Sequence, residues 1–169
     1  PLHPQISDWG IVDYPLHALI GLKHDYMRYG DLVTSLMFKE RILQQLALYE
    51  SIQDENGFIE ADRPSWGFIP GWARKMGPEE YGKPAYAQMM LYQNFLIGSY
   101  FARLWNDDSL AKHYVQKAEQ LKNSIINYFW DNEKKAFING YRINGEKDYR
   151  ISHHAQYWGI LTGLYPEEN

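Results

Sequence analysis

"LHALIGLKHDYMRYGDLVTSLMFKERILQQLA", residues 16–47, carries two runs of helical period on either side of Tyr29, Gly30 and Asp31. In the first run Leu16, Leu19, Ile20, Lys23, Tyr26 and Met27 share one face. In the second, Leu32, Val33, Leu36, Met37, Leu43, Leu46 and Ala47 do the same. Gly30 suits the left-handed residue that ends a helix, and Asp31 suits the cap that starts the next. A connection this short makes the two helices antiparallel neighbours. The spacing therefore predicts a helical hairpin whose apolar stripes lie in the core.

The pattern recurs downstream. A helix is expected from near Tyr86, after Pro84, to Trp105, with Ala87, Met90, Leu91, Ile97, Phe101 and Leu104 in phase. "NDD" at residues 106–108 gives a second stop and cap. The next helix carries Leu110, Tyr114, Ala118, Leu121, Ile125 and Phe129. A third copy opens with a helix over residues 152–164. Turns inside the hairpins are tight, and connections between them are long. Within "DNEKKAFINGYRINGEKDYR", residues 131–150, the tract "FINGYRING" predicts a small β-hairpin through an Asn-Gly turn of type I′. Residues 1–15 hold three prolines and read as an extended or looping lead-in.

Helical hairpins cannot bury their faces alone and gain stability by stacking. The expected fold is all-α, with antiparallel helical hairpins forming part of an α/α toroid and long loops between hairpins. Residues 1–169 form one domain in this reading. The half-present third hairpin suggests a segment of a larger toroid domain. Such a segment should expose apolar helix faces and self-associate.

Composition narrows the function classes. The chain is 45% hydrophobic and 22% charged, as a globular protein is. Net charge is −4, with no Lys/Arg stripe of the kind a phosphate backbone requires, so nucleic-acid binding is not expected. No apolar run approaches the roughly 20 residues needed to span a bilayer. No basic and apolar leader opens the sequence, and the compartment is left open. With 0 cysteines, disulfides, thiolate nucleophiles and Cys-ligated zinc are excluded. Nothing in the sequence calls for a cofactor. Tyr at 14 and Trp at 6 supply broad faces with polar tips, which suit polar ligands.

Chemistry concentrates in two irregular stretches. "WGFIPGWARKMGPEEYGKP", residues 66–84, has neither helical nor strand period, yet it holds Trp66 and Trp72. Large aromatics in a loop either plug the core or wait for a ligand. A sugar has an apolar face and a rim of hydroxyls, so an indole wall beside Asp62, Arg74 and Glu79 would fit one. The second stretch holds Asp8 beside Trp9 and Asp13 beside Tyr14. A glycosidase needs two carboxylates, about 5–5.5 Å apart to retain configuration or about 6.5–9.5 Å apart to invert it. Candidates are Asp8, Asp13, Glu60, Asp62, Glu79 and Glu80, each of which also has a bland reading as a cap, turn former or surface charge. His153 and His154 open the last helix. Adjacent helical positions point about 100° apart, so the pair cannot share one metal ion, and no other metal spacing is present. One of the two can meet a sugar hydroxyl or simply cap the helix.

The ordered set of motifs resembles the catalytic domain of bacterial α-L-rhamnosidases, a toroid of six helical hairpins. The matching features are Asp8-Trp9-Gly10, the Pro-led helix, and Gly30-Asp31 before a long second helix. Three more follow: Trp66-x-Phe68-Ile69-x-x-Trp72, "FWDNEKKAFING" and "SHHAQYWGILTGLYPEE". The resemblance covers residues 7–169 and implies a central segment of that domain. It implies a carbohydrate substrate, with Asp8, Trp9, Asp13, Trp66, Trp72 and His153 as substrate-binding candidates. The family's general acid lies in an upstream acidic tract and its general base further downstream. Neither tract is present here, so the isolated chain is expected to be inactive. Where the family's loop carries Asp before its second Trp, this chain has Gly71. Two other readings stay open at this point. One is a non-catalytic helical-repeat module that binds a glycan or protein. The other is a lyase or isomerase on the same toroid, using His153, Tyr81 or Arg74.

Overall fold

The computed structural model describes residues 10–60, 66–67 and 82–166. The order is β1 (Gly10–Ile11), α1 (Tyr14–Tyr29), α2 (Leu32–Met37), α3 (Lys39–Ser51), β2 (Trp66–Gly67), β3 (Gly82–Pro84) and α4 (Ala85–Leu104). Then come α5 (Asp108–Phe129), β4 (Trp130–Asp131), β5 (Ala136–Phe137), β6 (Gly140–Arg142), β7 (Lys147–Asp148) and α6 (His153–Thr162). The chain is mostly helical, with a small antiparallel sheet.

The punctuation read from the sequence operates as expected. The N–H of Gly30 donates to the Tyr26 carbonyl at the end of α1. The Asp31 carboxylate accepts from the N–H groups of Val33 and Thr34. Asn106 turns the chain after α4 at φ 59°, and the Asp107 carboxylate then accepts from the Leu110 N–H at the start of α5. Ser152 caps α6 through the Ala155 N–H.

One expectation is corrected in the first hairpin. Its second helix is not continuous but breaks at Phe38 (φ −95°, ψ 0°). The Ser35 hydroxyl donates back to the Leu32 carbonyl at 2.8 Å, a bond of the kind that bends helices. Ser35 is the buried residue of α2, and the Trp105 indole N–H points at its hydroxyl from 3.4 Å. With that small polar residue turned inward, the apolar stripe of α2 turns out. Val33 is 65% exposed and Met37 75%, and Leu32, Leu36 and Met27 are also exposed. These five, read from periodicity as core, are surface. The buried stripe resumes in α3 with Ile42, Leu46 and Tyr49.

Helix α4 is the hub. It is buried on all sides for most of its length, as an apolar helix without a polar face should be. α1 runs parallel to it: Tyr86 reaches Asp13, the Asn94 amide donates to the Leu16 carbonyl at 3.1 Å, and Tyr26 packs on Tyr100 and Phe101. α6 also packs on α4. α3 and α5 run the other way. They are joined by Glu50 to His113 at 2.6 Å and Lys117 to Gln53 at 3.3 Å. The described helices thus make two hairpins, counting α2 and α3 as one arm, and one further helix. The tight turns lie at one end of the bundle. The seven strands among the described residues lie at the other end, where α1, α4 and α6 begin.

At that rim β1 and β2 pair in parallel, Gly10 with Trp66 and Ile11 with Gly67. β3, β6 and β7 form an antiparallel sheet in that order, and β4 pairs with β5. The predicted hairpin exists, but it is β6–β7 and turns at Asn144-Gly145. It is not type I′, which needs positive φ at both central residues. Asn144 keeps negative φ and only Gly145 is left-handed, at φ 82°. The Gly145 N–H donates to the Arg142 carbonyl, and the Arg142 N–H to the Glu146 carbonyl. This is a type I turn closed by a glycine bulge, the usual solution for a three-residue loop.

Candidate functional site

The rim where α1, α4 and α6 begin collects the long connections, so the candidate site is built there. The first turns of the three helices present Asp13 and His17 from α1, Tyr86 from α4, and His153 and His154 from α6.

Asp13 occupies the N-cap position of α1, yet its carboxylate caps nothing. A capping Asp ordinarily contributes about 1 kcal/mol. Here the side chain turns inward, is 1% exposed, and accepts the Tyr86 hydroxyl at 2.6 Å. One residue earlier, the Val12 carbonyl accepts the Tyr49 hydroxyl, also at 2.6 Å. Burial pushes both tyrosine hydroxyls well above their usual range, and the charge of Asp13 adds to the shift. Both are protonated donors at neutral pH.

Around this buried pair the rim is aromatic and imidazole-rich. The His154 ring lies 5.8 Å from the Tyr86 ring, and His153 meets Tyr157 edge-on at 5.9 Å. His17 meets Trp158 at 6.0 Å, bridging α1 and α6. Both histidines of the α6 pair are exposed. Lys83, at the foot of α4, donates to Asp54 at 2.6 Å and stands 3.8 Å from Glu60. That cation holds two loop carboxylates together. On β7 of the same sheet, Asp148 is buried and accepts from the Asn139 amide at 2.8 Å and from the Arg150 guanidinium. Burial alone would raise the Asp148 pKa. The bonds from Arg150 and Asn139 outweigh burial and hold it at about 2.

Of the residues singled out from sequence, Asp13 and His153 lie at this rim, and so does the backbone of Trp66, paired with Gly10. Asp8, Trp9, Asp62, Trp72, Arg74, Glu79, Glu80 and Tyr81 lie outside the described residues. Among the described residues, no group of three or more His, Asp or Glu side chains could hold a metal ion. Sequence reasoning missed Tyr49, Tyr86, His17 and Trp158 as rim residues. Each reads as an ordinary helix position, and only the partner, tens of residues away, distinguishes it.

No family model matches the chain, and no curated protein sequence matches it. Solved structures do. A rhamnosidase from Klebsiella oxytoca with rhamnose bound aligns at TM-score 0.75 and 20% identity, over 96% of this chain and 30% of that one. A GH78 family rhamnosidase of Bacillus sp. GL1 aligns at TM-score 0.79 and 16% identity, over 94% of this chain and 16% of that one. The chain thus spans less than a third of the length of either structure. At these identities the likeness is one of fold: nearly the whole of this chain is built as a part of those two rhamnosidases is built.

Proposed function

We propose that the chain is a segment of a glycoside hydrolase catalytic domain of the α-L-rhamnosidase kind, and that its rim contributes sugar-binding loops. The observation that carries this is the near-complete alignment of the chain with two rhamnosidases, one of them holding rhamnose. In this reading the two hairpins and α6 are consecutive members of a six-hairpin α/α toroid. In this reading Asp8, Trp9, Asp13, Trp66, Trp72 and His153 are the substrate-binding residues. The general acid and base are supplied from outside the chain, so the chain alone binds without turning over.

Tryptophan fluorescence of the chain, titrated with L-rhamnose and other monosaccharides, tests the reading. A saturable change for L-rhamnose, lost in Trp66→Ala or Trp72→Ala, is the expected result. No response to any sugar would remove the sugar wall from this segment. Turnover of an aryl α-L-rhamnoside by the chain, abolished by Glu79→Gln, would overturn the placement of the acid and base elsewhere.

A further inference from the structure

Two hydroxyls from different hairpins converge on one dipeptide. Tyr49 closes α3 and donates to the Val12 carbonyl, and Tyr86 opens α4 and donates to the Asp13 carboxylate. Val12 and Asp13 are both buried. Immediately before them, Gly10 and Ile11 pair with Trp66 and Gly67. Among the described residues this parallel pair is two residues long, too short to hold itself in water. Something must fix one of its strands, and the two tyrosines fix the residues that follow β1.

We infer that Tyr49 and Tyr86 are positioning residues that clamp Val12 and Asp13. Through that anchor they set the place and register of Gly10–Ile11 against Trp66–Gly67. The turn of Asp13 away from its capping position follows from this: the carboxylate is the clamp's acceptor. The clamp stands on geometry alone. Its consequence for sugar binding rests on the proposed function.

The test is hydrogen–deuterium exchange of the full chain, comparing wild type with Tyr49→Phe, Tyr86→Phe and, as a buried control, Tyr114→Phe. Exchange in peptides covering Gly10–Ile11 and Trp66–Gly67 should quicken about tenfold in the first two variants, the factor carried by one buried hydrogen bond. The core of α4 should keep its protection, and Tyr114→Phe should behave as wild type. Unchanged exchange at both segments would overturn the clamp. So would a rise that merely tracks α4, because that is global loosening. L-rhamnose titration of the same variants separates the two readings. Wild-type binding that weakens in Tyr86→Phe extends the clamp to the site. Faster exchange with no wild-type binding sustains the clamp and removes the sugar reading.

Discussion

Gln88 and Ile59 meet as two strands of a sheet would. The Gln88 side chain accepts the Ile59 N–H at 2.9 Å and donates to the Ile59 carbonyl at 2.9 Å, and both residues are buried. A loop backbone taken out of water needs partners, and here one side chain from the first turn of α4 supplies both. Gln88→Leu keeps the volume and removes both bonds. It should cost about 2–5 kcal/mol, since two buried backbone groups lose their partners. Urea unfolding with unchanged m-value would measure it, and a loss under 1 kcal/mol would mean that the loop finds water instead.

Asp148 sets an acid limit on the rim. Its carboxyl is held at about 2 in the fold against an ordinary 3.8. A depressed pKa contributes stability above the unfolded value, and that contribution is lost as pH falls from about 4 through 2. The Arg150 side chain is 54% exposed, so solvent screens the pair and the contribution is about 1–2 kcal/mol. Asp148→Asn should be less stable at pH 7 and should flatten the acid limb of thermal melts. Parallel curves for the two proteins from pH 5 to 2 would refute the assignment.

Gly98 lets α3 and α5 close on α4. A methyl group there would stand 2.6 Å from a Leu46 methyl carbon and 3.0 Å from the Tyr114 ring. Ala is the better helix former, so on propensity alone Gly98→Ala would stabilise by up to about 1 kcal/mol. Packing should win, because Leu46 and Tyr114 are both buried and the ring cannot rotate away cheaply. A net loss of about 1–3 kcal/mol is expected. A raised melting temperature would show that Leu46 relaxes freely.

The outward stripe of α2, together with exposed Tyr157, Ile160 and Leu161 on α6, gives the chain two apolar surfaces. Apolar surface of this kind promotes association. Sedimentation should show concentration-dependent self-association that falls in Val33→Lys/Met37→Lys. Stability should change by less than about 0.5 kcal/mol, since neither side chain packs in the core. A monomer at all concentrations would remove the expectation.

Helix ends were legible because caps and left-handed turns act within a few residues. Gly30-Asp31 and Asn106-Asp107 do in the structure what their side chains favour locally. Periodicity says which residues share a face, not which face meets the molecule, so the α2 stripe faces out where its period alone suggests core. Ser35, bonded to Leu32 and facing Trp105, reversed that choice. The hairpin lies in the tract that the Asn-Gly pairs mark but turns differently, since the three-residue spacing between Arg142 and Glu146 outranks the Asn-Gly preference.

Asp13 marks the boundary most sharply. Its neighbours suggest a cap or a ligand-facing carboxylate. Its position in the fold gives it Tyr86, 73 residues away in sequence. Interactions that span one or two turns write the helix ends and the doubled hairpin into the sequence, though not the break at Phe38. Three other things come from packing: which stripes are buried, how Trp66 pairs with Gly10, and which carboxylates become internal anchors. Those outcomes depend on contacts between distant segments, whose free energy appears only once the hairpins have packed against α4.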